Sequence, residues 1–196
     1  MNIMNTAKRR EQNEKVTFEE YLSLEQESEA RHEFQDGELI PLEATTKAHN
    51  RIKRNITRQI ETPEFEERGC ELYDENVLTQ LQEKKRYVYP DVVITCQPTD
   101  DPLVVVHPTV VFEILSPSTK KYDKTTKFFR YQRIPSLQQC VFVAQDEVEV
   151  KSFLRHANGQ WVQTALDDIE EVLEIPALQT NISLRTIYRG ISFSNE

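Results

Sequence analysis

Glycine is scarce in this chain. Average usage would put about 14 glycines in a protein this long, and only Gly37, Gly69, Gly159 and Gly190 are present. None belongs to a GxGxxG, GxxxxGK(S/T) or GxSxG pattern. Loops that cradle phosphate and turns that present a nucleophile need glycine for close backbone approach. Dinucleotide-binding, P-loop and nucleophile-elbow hydrolase classes are therefore excluded. Cysteine is scarce too: Cys70, Cys96 and Cys140 form no CxxC pair, and their odd number and wide spacing predict free thiols in a reducing compartment. His32, His107 and His156 lack metal-ligand spacing, and no HExxH occurs. No apolar run approaches the roughly 18 residues of a membrane span. The polar start MNIMNTAKRREQNEK has no signal-peptide core. These absences together predict a soluble cytoplasmic chain.

What is present is charge, unevenly placed. The 196 residues carry 24 Lys and Arg against 33 Asp and Glu, a net −9. That balance argues against bulk attraction to nucleic acid or anionic membrane, unless positive charge is concentrated locally. It is concentrated. Lys47, Arg51, Lys53, Arg54 and Arg58 stand in a stretch without an acid, and Lys120, Lys121, Lys124, Lys127, Arg130 and Arg133 stand against Asp123 alone. Lys47, Arg51, Arg54 and Arg58 fall on one stripe of a helix, a pattern that suits either phosphate binding or a solvated face.

Residues 1–15 read as a frayed arm, and 16–192 as one domain. Thr17-Phe18-Glu19-Glu20 is a capping box opening a helix through about Glu29. Asp36-Gly37 sits between two short strand-like runs, a hairpin signal. Ala48, Ile52, Ile56 and Ile60 recur every four residues within 46–61, which predicts a helix with one buried stripe. Strands are expected at 71–78, 89–95, 110–115, 140–144, 148–154 and 160–166, and helices at 120–133 and 183–189. Trp161, Phe128 and Phe129 read as core. The class is α+β, with a mixed central sheet flanked by helices and further antiparallel strands toward the C-terminus.

Two of the apolar strand runs contain a carboxylate. Asp91 follows Pro90 before Val92-Val93-Ile94, and Glu113 interrupts Val110–Leu115. An acid survives in such a run by pairing with a cation, by protonation, or by ligating a metal. Sequential strands tend to be neighbours, so the two acids are expected side by side, an oxygen-rich pair suited to Mg²⁺ or Mn²⁺ or to a lysine partner.

HEFQDGEL, YPDVVIT, VFEILSPSTKKYDKTTKFFRYQRIPSL and EVEVKSF, in that order, resemble the Uma-type restriction-endonuclease-like family of the PD-(D/E)XK nuclease superfamily. The resemblance runs from about Thr17 to Ile187 and implies a carboxylate cluster at one end of the sheet. It casts Asp91 and Glu113 as metal ligands, with the Ile114 carbonyl and Glu33 adding to the set. Leu115 stands where the superfamily pattern has lysine, and Lys127 matches the position to which this family moves it. Asp123 and Tyr131, four residues to either side of Lys127, would hold it in place, and His49 is a further candidate for the site. Lys47, Arg51, Arg54, Arg58, Lys120 and Lys124 would bind nucleic acid. The implied activity is Mg²⁺- or Mn²⁺-dependent cleavage of phosphodiesters, of DNA by expectation, by a chain that pairs as a homodimer. The competing readings are an inactive nucleic-acid-binding module on the same fold and a protein-interaction domain.

Overall fold

The computed structural model describes residues 15–42, 44–74, 76–116 and 127–193. Helix α1 (Phe18–Glu27) opens on the expected capping box, Thr17 and Glu20 each bonding the other's backbone N–H. Strands β1 (His32–Gln35) and β2 (Glu38–Pro41) form the hairpin. Its two-residue turn puts Asp36 at φ 52° and Gly37 at φ 94°, a left-handed pair that Asp-Gly readily adopts. Helix α2 (Lys47–Ile60) is capped by Thr46, and Ile52, Ile56 and Ile60 are buried along one face. A short helix α3 (Pro63–Glu67) follows.

Next come β3 (Glu71–Asp74), β4 (Leu78–Gln82), β5 (Arg86–Val88), β6 (Val92–Thr95), β7 (Val104–Val105) and β8 (Val110–Leu115). Helix α4 (Phe128–Tyr131) leads to β9 (Gln139–Ala144), β10 (Val150–Arg155) and β11 (Trp161–Leu166). The chain closes with β12 (Val172–Ile175), a 3-10 turn at Pro176–Leu178, β13 (Thr180–Ser183) and α5 (Leu184–Ile187). The first half of the expected helix 120–133 lies outside the described residues, as does the arm up to residue 14.

The main sheet is mixed, in the order β11-β10-β9-β8-β6-β3, with β8 and β9 parallel and its other neighbours antiparallel. Every residue of β6, β8 and β9 is buried. One face packs against α2, α5 and the β12-β13 hairpin through Ile52, Ile56, Leu173, Ile182 and Ile187. The opposite face carries Val93, Val111, Leu115 and Phe142 against Tyr131, Ile134 and Leu137. A second sheet, β2-β1-β5-β4-β7, forms its own core with α1 around Tyr21, Phe34 and Tyr87. The sequence does not predict this second sheet. Its β4 and β5 are short and of mixed polarity, and β7 is two residues long.

Two expectations are corrected. Cys70 and Cys96 are disulfide-bonded, leaving buried Cys140 as the free thiol. Carrying the β3–β6 pairing one step past Glu71↔Thr95 brings these cysteines face to face, with Cα atoms 4.0 Å apart. Their spacing along the chain carries no hint of that register, so the inference of a reducing compartment loses its basis. Phe129 is 55% exposed rather than core. Phe128 stacks on Phe153 at 4.0 Å and meets Trp161 edge-on, and both Phe128 and Trp161 are half-buried. No helix among the described residues is long and apolar enough to cross a membrane.

Candidate active site

Five elements converge at one end of the main sheet. Glu113 sits on β8 between Val111 and Leu115 and so faces the same side as they do, toward α4. Extending the antiparallel β6–β8 register one step past Val92↔Phe112 sets Asp91 across from Glu113. The pairing that holds the core thus fixes the two acids side by side, as the apolar runs predict.

Each acid is held. Asp91 accepts the Ile114 backbone N–H through Oδ2 at 2.6 Å, and its Oδ1 lies 3.0 Å from His49 Nε2 on the first turn of α2. That turn is itself anchored. The Thr46 hydroxyl accepts the His49 N–H and donates to Gln145, whose N–H reaches back to Leu115 at the end of β8. Glu113 accepts the Tyr131 hydroxyl on Oε1, and Lys127 Nζ lies 3.3 Å from its Oε2. The same ammonium lies 3.9 Å from Oε1 of Glu33, which β1 delivers from the second sheet. Gln35, on the same face of β1, donates to the other Glu33 oxygen at 3.1 Å.

The setting is dry. Glu33 is 5% and Glu113 3% exposed, and His49 is buried beside them. Burial, with Glu113 adding to it, pushes the Tyr131 hydroxyl well above its ordinary range. Tyr131 therefore stays protonated and remains a donor to the carboxylate. Burial, reinforced by Glu113 and opposed by Lys127, raises the Cys140 thiol in the same way. Among the described residues, Glu33 Oε1 and His49 Nδ1 are buried without a hydrogen-bond partner.

Glu33, His49, Asp91, Glu113, Lys127 and Tyr131, all singled out in the sequence, are thus brought together. Ile114 takes part through its N–H, which Asp91 accepts. Asp123, Lys120 and Lys124 lie outside the described residues. Lys47, Arg51, Arg54 and Arg58 form an exposed face of α2, whereas Lys53 turns inward to Asp74 at 3.8 Å. Gln35, Thr46 and Gln145 escaped the sequence reading; only Gln35, two positions from Glu33 on a strand, carried a signal. Among the described residues no three His, Cys, Asp or Glu side chains form a ready ligand group.

The architecture is of restriction-endonuclease-like type, a mixed sheet between helices with paired acids at one end. Residues 18–186 match Uma2, described as "Putative restriction endonuclease", and the chain belongs to that family. It is similar to two uncharacterized proteins of Synechocystis sp. One is 29% identical over 181 residues, 91% of this chain and 94% of that protein. The other is 31% identical over 155 residues, 77% of this chain and 87% of that protein. A solved structure from Anabaena variabilis, described as "a putative nuclease belonging to DUF820", shares the fold with a TM-score of 0.70 and 17% identity. The match covers 88% of this chain and 97% of that one.

Proposed function

We propose that this protein is a Mg²⁺- or Mn²⁺-dependent endonuclease that hydrolyses phosphodiester bonds of DNA. The observation that carries the reading is the placement of Asp91 opposite Glu113, with Lys127 within 3.3 Å of the latter. The donor set suits a hard cation: Asp91, Glu113 and Glu33 bring three carboxylates, and one buried Glu33 oxygen has no hydrogen bond among the described residues. Mg²⁺ typically takes only one or two carboxylates and completes its shell with water, so a three-side-chain group is not required. Asp91 and Glu113 would hold the ion, with Glu33 acting directly or through water. Such an ion, when bound, neutralises charge on the phosphate and acidifies a coordinated water.

The remaining work falls to the chain's own groups. His49 and the Ile114 N–H fix both oxygens of Asp91, and Tyr131 fixes Glu113, so neither acid reorganises when substrate arrives. Lys127 Nζ orients the attacking water or balances the charge developing on the phosphate. The exposed arginines of α2 would track the backbone of the duplex.

The test is cleavage of plasmid and linear DNA in Mg²⁺ and in Mn²⁺ by wild type, Asp91→Asn and Glu113→Gln. These near-isosteric changes should lower the rate by at least about 10²-fold, a typical loss for one electrostatic catalytic group, with circular dichroism unchanged. Absence of cutting by wild type with either ion, or equal cutting by all three proteins, overturns the proposal. A nucleic-acid-binding module without cleavage is the second reading, favoured by the lack of a ready three-ligand group among the described residues. It predicts salt-sensitive DNA retention and no cut under any divalent ion.

A further inference from the structure

The main sheet ends on two unlike edges. β3 carries two acids, Glu71 and Asp74, in four residues, and the Cys70–Cys96 bond ties it to β6. β11, WVQTAL, has no charged residue, no proline and no glycine, and pairs with β10 over six residues without a break in register. Soluble proteins usually blunt an open edge with lysine, proline or a bulge. In a chain that is 29% charged, an unbroken, neutral six-residue edge departs from that practice. The four central residues of β11 are exposed, Val162 to 47%, so neither face of the strand is covered along that stretch.

We infer that β11 pairs antiparallel with β11 of a second copy of this chain, joining two main sheets across a twofold axis. Such an axis stands perpendicular to the sheet and keeps the same face up in both copies, so facing residues differ by an even number. With Thr164 on the axis, Val162 faces Leu166 and Gln163 faces Ala165, with no like charges opposed. The same register carries Asp167 of the second copy to Trp161. The Arg155 guanidinium lies 4.6 Å from the centre of that ring. Within its own chain Arg155 meets the carbonyls of Gln132, Ile134 and Pro135 and, among the described residues, no carboxylate. A second copy supplies the missing acid at both ends of the overlap. This inference does not depend on the hydrolytic reading, because its readout is molecular mass.

Sedimentation equilibrium of the full chain over roughly 1–100 µM, a range that resolves micromolar association, should give a concentration-dependent dimer. Thr164→Lys sets two ammonium groups together on the axis and should weaken association about tenfold or more, with the circular dichroism and melting curve unchanged. Thr164→Cys should form a reducible covalent dimer on oxidation. Cys140 is buried and the other two cysteines are paired, so the background is clean. A wild type that stays monomeric throughout, leaving the edge to some foreign strand or to solvent, overturns the inference. So does a dimer that Thr164→Lys leaves intact, or a Thr164→Cys protein that never cross-links.

Discussion

Lys127 lies 3.3 Å from Glu113 and 3.9 Å from Glu33, two carboxylates almost out of contact with water. A buried acid is tolerable only while its charge is balanced, so removing the cation costs more than the pair itself contributes. Lys127→Met should destabilise the protein by about 2–4 kcal/mol, near the lower end for a broken buried pair because the lysine keeps some water. Adding Glu33→Gln removes one of the stranded charges, and the double variant should regain part of the loss. Urea unfolding of the two variants checks this; a double variant no more stable than the single one would refute it. Legibility at this scale was uneven. Asp91 and Glu113 stood out because a carboxylate in an apolar run is conspicuous. Glu33 and Lys127 did not stand out, since an acid in a polar hairpin and a lysine among lysines look ordinary, and only the family resemblance singled them out. His49 was a candidate without a partner, because a helix and a strand end meet through tertiary packing that no local pattern encodes.

Helix α2 does two things with two faces. Ile52, Ile56 and Ile60 bury one against the sheet, and Lys47, Arg51, Arg54 and Arg58 expose the other to solvent. Each phosphate contact adds about 0.9 to the slope of log affinity against log salt concentration. Arg51→Ala with Arg54→Ala should therefore weaken DNA retention and lower that slope by about 2, read from binding isotherms at several salt concentrations. An unchanged slope would assign the stripe to solvent. Helices α1 and α2 were readable because the Thr17 capping box and a repeat of four apolar residues are both local. The hairpin at Asp36-Gly37 was readable for the same reason. Strands β4, β5 and β7 were not, since LTQLQ and RYV carry little alternation and are strands by virtue of their neighbours. The β12-β13 hairpin was hidden by four-residue strands around Pro176.

The main sheet is held by pairings between distant parts of the chain, and one of those is covalent. Cys70 and Cys96 are separated by 26 residues. Closing a loop of that size in the unfolded chain is worth about 3.5 kcal/mol on the chain-entropy account. For a chain of this size that corresponds to a fall of about 7–14 °C in melting temperature on reduction. Cys70→Ala/Cys96→Ala should melt at the reduced value and ignore reductant, as followed by calorimetry with and without dithiothreitol. Alkali should act on the molecule as a whole. Burial raises the hydroxyls of Tyr21, which donates to the His32 carbonyl, and of Tyr188, which donates to the Glu149 carbonyl. A folded-state value above the unfolded value of about 10 means the stabilisation is whole below pH 10 and declines above it. Urea midpoints should be flat from neutrality to about pH 9 and drop steeply beyond about pH 10. A midpoint still level at pH 11 would contradict the burial of these rings. The geography of the acid cluster has its own consequence for renaturation. Its members come from β1, the start of β6, β8 and the edge of α4, so no contiguous stretch of the chain contains a working set. A half-refolded molecule with α2 and the Asp36-Gly37 hairpin already in place still holds Glu33 away from Lys127. Assembly of the cluster waits for the slow, distant strand pairings, and should mark the last step of the return to the native state.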